Sequence, residues 1–426
     1  MASDEIVVTA QDQQVVNVTI YNQNMALIKD RQAINLPLGI HTLAFREVSA
    51  QIKPETALMH GRDLAVLEQN FEHDLLTPHS LLQKYVGREV TMSRRDSATN
   101  EEQSVPAKVL SAGDGVVLQV GKRIETEVTG RLVYPDVPST LRDRPTLTMQ
   151  VESAEAGARE VELAYLTAGL SWQADYVAEL NVADDHLDLS GWVTVSNESG
   201  AQYPNARLQF VAGDINVVQR ELQPRAMHTE AVAAAPAPAP RAMAEEALFA
   251  YHLYTLERPV TIRENQKKQV ALLQVEAIKC RKEFLLTGQD FYYINQVGAI
   301  GRKLKAGVFV ELKNDKESGL GQPIPAGIFR VYKKDGNGFL QFVGEDRVKN
   351  TPEKELIRLH LGDAFDITAD KLQVDYKKLK GGGTGTANSI YESEYLVQVK
   401  NAQHEAVTVK VQEPIPGEWE MVNEVH

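Results

Sequence analysis

Ser171-Trp172-Gln173-Ala174-Asp175-Tyr176-Val177-Ala178-Glu179-Leu180 is the stretch whose reading decides the fold. Trp172, Ala174, Tyr176, Ala178 and Leu180 share one face, and Gln173, Asp175 and Glu179 share the other. Successive side chains of a strand point to opposite faces, so this alternation predicts a half-buried strand of a β-sandwich. Neighbouring stretches carry the same period. Thr146–Glu152, Val161–Thr167, Leu187–Asn197 and Leu208–Asn216 are strand-like, with turn residues such as Asn197-Glu198-Ser199-Gly200 between them.

Toward the N-terminus, residues 6–50 read as a β-meander. Val15–Tyr21, Ala26–Ile28, Arg31–Leu36 and His41–Phe45 are separated by the turns Asn22-Gln23-Asn24 and Pro37-Leu38-Gly39. One short helix is expected near residue 80. Thr77 can cap it, Pro78 suits the first helical position, Leu81, Leu82 and Tyr85 lie on one side, and Gly87 ends it. Short strands with tight polar turns then suggest a small SH3-like or Sm-like barrel. Toward the C-terminus, Gly327–Tyr332 and Phe339–Val343 flank Asp335-Gly336-Asn337-Gly338, a strong hairpin signal. Tyr251–Tyr254, Val260–Ile262, Gln269–Leu273, Val308–Leu312, Lys354–Leu361, Gln373–Tyr376, Tyr391–Lys400 and Ala406–Gln412 complete the strand pattern, and Trp419–Val422 reads as the start of another. Lys380–Thr386 is a glycine-rich loop between two of these.

The expected fold is therefore all-β, with multiple β-sandwich domains, a small inserted barrel and very little helix. Residues 5–75 plus 146–222 form the first sandwich, 77–145 the inserted barrel and 248–426 the second sandwich. Residues 223–247, with the Ala-Pro run Ala231–Pro240, form a flexible linker, since such a composition buries no core.

The 426-residue chain is 43% hydrophobic and 24% charged, an ordinary globular composition, with a formal charge of −13. The stretch 151–200 holds one basic residue, Arg159, against ten acids, which disfavours nucleic acid as a partner. No apolar run reaches the roughly 18 residues of a membrane helix. One cysteine, Cys280, excludes an internal disulfide and a multi-cysteine zinc site. The opening Met1-Ala2-Ser3-Asp4-Glu5 has no basic or apolar leader pattern. A cytoplasmic protein and an exported one lacking its leader both fit.

Chemistry is sparse. There is no HExxH, no GxSxG and no Walker loop; in Lys380–Thr386 the lysine precedes the glycines and a strand follows. No catalytic residue, cofactor or metal is assigned. Asp184-Asp185-His186-Leu187-Asp188 clusters carboxylates that could hold Ca²⁺, although turn chemistry accounts for them. Asp175 and Glu179 lie two positions apart along the polar face, where an acid pair favours solubility over glycoside hydrolysis. Trp172 and Trp192 could stack on sugars, but their alternation points them inward. Cys280 lies between Lys279 and Arg281, which would lower its pKa if it were exposed; with no partner in view, a buried or incidental thiol is the expected reading. Asp175, Glu179, Asp184, Asp185 and Asp188 are the candidate partner-binding residues.

Several strings together resemble one bacterial family. They include Val18-Thr19-Ile20-Tyr21-Asn22-Gln23-Asn24-Met25-Ala26-Leu27, Tyr165-Leu166-Thr167-Ala168-Gly169-Leu170-Ser171-Trp172-Gln173-Ala174-Asp175-Tyr176 and Pro325-Ala326-Gly327-Ile328-Phe329-Arg330-Val331-Tyr332. Val211-Ala212-Gly213-Asp214-Ile215-Asn216 and Phe342-Val343-Gly344-Glu345-Asp346 add to them. The chain resembles the DUF4139 domain-of-unknown-function family, whose domain also forms the C-terminal part of mucoidy-inhibitor-A-like proteins. The resemblance implies no catalytic residues. It implies an export signal and further strands beyond Gly417-Glu418-Trp419-Glu420, hence a periplasmic or secreted protein truncated at its end. It also implies an influence on exopolysaccharide. The leading functional expectation is a non-enzymatic envelope protein that binds a protein or glycan partner. The alternatives are a carboxylate-dependent hydrolase of envelope polysaccharide and a scaffold that joins assemblies through an unpaired strand.

Overall fold

The computed structural model describes residues 5–72, 74–95, 102–113, 115–126, 128, 130–138, 140–213, 215–216, 243–293, 295–381 and 389–424. The Ala-Pro run and most of the glycine-rich loop lie outside the described residues. The chain is all-β, as its alternation predicts. In order come β1 (Glu5–Val8), β2 (Gln13–Tyr21), β3 (Met25–Leu36), β4 (Gly39–Arg46), β5 (Leu58–Gly61), β6 (Leu64–Glu72) and the helix α1 (Pro78–Lys84). Then follow β7 (Glu89–Arg95), β8 (Glu102–Ser111), β9 (Val117–Val120), β10 (Arg123–Glu125), β11 (Arg131–Val133), β12 (Thr146–Ser153), β13 (Gly157–Ala168), β14 (Leu170–Leu180), β15 (His186–Asn197) and β16 (Tyr203–Ala212). The rest is β17 (Ala244–Leu248), β18 (Tyr251–Thr255), β19 (Val260–Ile262), β20 (Gln266–Thr287), β21 (Ala299–Lys313), β22 (Gly327–Lys334), β23 (Leu340–Val348), β24 (Leu356–Gly381), β25 (Ser389–Asn401) and β26 (Val409–Gln412).

These elements divide into two compact units that are not consecutive in sequence. One comprises residues 1–172, 195–211 and 255–268; the other comprises 173–194, 212–254 and 269–426. Both β14 and β15 change unit partway along their length.

In the first unit, one sheet runs β1-β4-β12-β6 and another runs β16-β2-β3-β13-β5, with β19 beside β16. Alternation buries Leu43, Phe45, Leu147, Met149 and Val151 from the first sheet and Val18, Ile20, Ile28, Val161 and Leu163 from the second. Burial of such side chains contributes about 1.5–3 kcal/mol each. Trp172 packs 5.5 Å from Phe210, between ring centres. Gly169, the single residue between β13 and β14, has φ +84°, and a Cβ there would lie 2.5 Å from Ser199 Cα. Only glycine meets both conditions.

β6 and β12 are sheet neighbours, yet 73 residues separate them. That interval holds α1 and the five-stranded sheet β10-β9-β8-β7-β11. Thr77 and Ser80 form a reciprocal cap on α1, and Leu82 and Tyr85 close its core with Val90, Met92, Ala107, Val109 and Leu118. The expected helix is thus present in detail. At the neck of the insertion, Arg142 donates to both oxygens of Glu5 at 2.8 Å and to Glu72.

In the second unit, one sheet runs β23-β22-β14-β15-β20-β21-β24-β25, with β26 beside β20. β14 lies parallel to β22, antiparallel hairpins join β22 to β23 and β24 to β25, and Tyr176 stacks on Phe329 at 4.3 Å. The Asp335 carboxylate accepts the N–H groups of Asn337 and Phe339, fixing the expected β22–β23 hairpin. Gly327 permits close strand approach, since a Cβ there would lie 2.3 Å from Ala174 O. Two strands are far longer than the sequence suggests: β20 has 22 residues and β24 has 26. In contrast, residues 417–424 form no strand, and Trp419, Met421 and Val422 are exposed. Among the described residues, no helix is long and apolar enough to cross a membrane.

Candidate functional site

The five acidic candidates all lie on the second unit, on β14, β15 and the turn between them. They do not converge on one site. Asp175 is buried, unlike the solvated position its alternation implies. As an interior strand, β14 has neighbours on both sides, and they supply polar partners. Arg330 Nη1 lies 3.0 Å from Asp175 Oδ1, and Thr194 Oγ1 donates to Oδ2 at 3.0 Å. Arg330 also reaches Glu345 through Nε at 3.2 Å. The pair answers the cost of burying a carboxylate. Glu179, two pleats further along β14, is half-buried.

Asp184 and Asp185 line a groove of about 650 Å³ with Val182, Ala183, Cys280, Arg281, Lys282, Lys333 and Glu405. Asp184 has φ +60°, so the turn holds it in the left-handed region. Its carboxylate accepts Lys282 Nζ at 2.6 Å and also Lys333 Nζ. Burial pushes its carboxyl up, but the two lysines outweigh this and hold it below the ordinary range. Asp185 accepts from Asn181 at 2.6 Å and pairs with His186, interactions that lower its pKa. Asp188 accepts the N–H of Ala277 at 2.8 Å, where β20 bends through a left-handed residue. Turn and bulge chemistry therefore occupies all three. Among the described residues, no group of three His, Cys, Asp or Glu side chains is placed to hold a metal.

Of two further expectations, the one for Cys280 holds and the one for Trp192 changes. Cys280 is half-buried, and burial, followed by the charges of Asp184 and Asp185, pushes its thiol up to about 11. Lys279 and Arg281 do not activate it; the Arg281 guanidinium is engaged by Glu311 instead. Trp172 is buried as expected, but Trp192 is only half-buried, because Leu189, Gly191, Val193 and Val195 occupy the buried face of β15. Neither tryptophan lines the groove.

A smaller polar cavity, about 30 Å³, lies in the first unit beside Asp30, Gln32, Tyr165 and Tyr203. Asp30 accepts from Gln13 Nε2 at 2.8 Å and Gln32 Nε2 at 2.5 Å. Burial, only partly offset by these bonds, raises its pKa to about 6. The cavity has room for about one water.

The remaining feature is an edge. Among the described residues, β25 has a sheet neighbour on one side only, β24. Ser393, Tyr395 and Val397 turn inward, while Glu392, Glu394, Leu396, Gln398 and Lys400 are exposed on the outer face. Leu396 is 57% exposed and sits opposite Leu372 of β24, itself 40% exposed. The inner face is polar at this end. Lys371 is buried there, paired with Glu413 and lying 5.6 Å from the centre of the Tyr293 ring.

The fold and these places define a multi-sheet β protein whose prominent acidic side chains are bound into structure. The chain belongs to the family described as Domain of unknown function (DUF4139), which matches residues 161–418. No curated protein matches it.

Proposed function

We propose that this is a non-enzymatic binding protein that holds an extracytoplasmic protein partner by strand addition along β25. The observation that carries the reading is the 13-residue edge strand, with Leu396 exposed among charged and polar side chains on its outer face. An edge offers a row of main-chain donors and acceptors, which a partner strand can satisfy while side-chain contacts set specificity. The disposition of the acids supports binding over hydrolysis. Asp175 and Asp184 are held by Arg330 and by two lysines, and the groove has no aromatic wall on which a sugar could stack. The extracytoplasmic setting rests on the family resemblance in the sequence.

Amide hydrogen exchange on the full chain, with and without envelope proteins that it retains on a column, tests this. Slowed exchange across 389–401 in the complex is expected. Retention that leaves those amides unchanged overturns the reading, as does polysaccharide cleavage that Asp175→Asn abolishes. Fractionation of the native protein tests the location, and recovery in the cytoplasm overturns it.

A further inference from the structure

We infer that the β25 edge is self-complementary and pairs antiparallel with a second copy of this chain, with Leu396 on the two-fold axis. The inference rests on the edge-binding reading above and commits it to one occupant. In an antiparallel pair, directly opposed residues project on the same face. Centring the pair on Leu396 sets Glu392 opposite the partner's Lys400, and the two-fold axis repeats that contact. Glu394 then faces the partner's Gln398, and Leu396 faces its own counterpart.

The exposed face supports this register. Leu372 and Leu396 are cross-strand neighbours on β24 and β25. Pairing two copies makes a continuous apolar row of Leu372, Leu396, the partner's Leu396 and the partner's Leu372. It covers two leucines of each copy that are otherwise 57% and 40% exposed. Lys400 already pairs with Asp370 of its own β24, so it would bridge two carboxylates, one from each copy. Moving the centre by one residue toward either end loses the match. Glu392 then meets Gln398, or Glu394 meets Lys400 with Leu396 against a glutamine. Charged residues on an edge usually discourage association. Here their order along the strand makes association between identical strands the favourable case.

Sedimentation of the full chain over a concentration series tests the proposal. A reversible dimer is expected. Glu392→Lys and Lys400→Glu should each weaken it about tenfold or more, since each change sets like charges opposite one another twice. The double variant Glu392→Lys/Lys400→Glu should restore the dimer to within about threefold of the parent. Leu396→Lys places two ammonium groups at the axis and should leave a monomer, with circular dichroism confirming an intact sheet. A parent that stays monomeric up to about 100 μM, or a dimer indifferent to Glu392→Lys, overturns self-pairing. Monomeric chain whose β25 amides are protected by another protein overturns only this inference. A β25 edge whose amides are protected neither by a second copy nor by another protein overturns the edge-binding reading as well.

Discussion

Arg330 of β22 places Nη1 3.0 Å from Oδ1 of Asp175, which lies on the neighbouring parallel strand β14. The two residues are 155 positions apart in sequence. Their pairing converts what reads as a solvated acidic position into a buried, fixed one. Thr194 and Glu345 extend the contact to β15 and β23, so four strands of one sheet share a single polar cluster.

Removing one member should therefore be costly. Arg330→Met leaves Asp175 buried without its cation, at a loss of about 2–3 kcal/mol in urea unfolding after allowance for the partial exposure of Arg330. Asp175→Asn should lose less, because an amide oxygen can still accept from Thr194. Equal losses for the two variants would show that Asp175 gains nothing from the guanidinium.

Asp30 predicts a pH dependence. Its pKa rises from the ordinary 3.8 to about 6 in the folded protein. The native state then holds the proton more tightly than the unfolded chain. This group's contribution to stability is full below about pH 4 and is lost as pH rises through about 6. The span corresponds to at most about 3 kcal/mol. Asp30→Asn should flatten that part of the pH profile and raise the melting temperature at pH 7.5. An unchanged slope between pH 4 and 6 would refute the assignment.

Cys280 should be a slow nucleophile. With its thiol pushed up to about 11, the thiolate fraction at pH 8 is about a hundredfold below that of a thiol at the ordinary 9.0. Alkylation by iodoacetamide at pH 8 should be slower by a similar factor than in the urea-unfolded chain. Asp184→Asn removes one of the charges that raise the thiol and should speed the reaction. Labelling as fast as that of the unfolded chain would contradict the buried, acid-flanked setting.

Arg142 should anchor the inserted sheet to its host. Its side chain binds Glu5 and Glu72, and its own backbone accepts from Leu76 N and donates to Asp74 O. Arg142→Met keeps the aliphatic stem but loses the fork of charge-assisted bonds. A loss of about 1–2 kcal/mol is expected, with earlier proteolytic cleavage around residues 74–76 and 138–144. Unchanged cleavage kinetics would remove the anchoring role.

Much of the architecture was legible in local pattern. The buried row Trp172, Ala174, Tyr176, Ala178 and Leu180 is the one its alternation predicts, and the Thr77–Gly87 helix and the Asp335–Gly338 turn form where their residues dictate. These features depend on near neighbours in the chain: the two-residue pleat, a cap three residues away and a carboxylate beside its own turn. The full lengths of β20 and β24 were not legible. Ala277 and Gly362 take positive φ within them, and register shifts interrupt the β21–β24 and β24–β25 ladders. Each bulge swaps the faces that side chains point to, so one long strand reads as two short ones.

The sequence by itself determined that this chain builds sheets, because strand periodicity and turn residues act within a few positions. Tertiary structure alone decided which acids are solvated and which are held. Arg330, Lys282 and Lys333 come from strands about a hundred or more residues away from Asp175 and Asp184, and only sheet order brings cation to carboxylate. It also decided that β25 is an edge, since an outer strand and an inner one can share the same alternation and differ only in whether a neighbour is present.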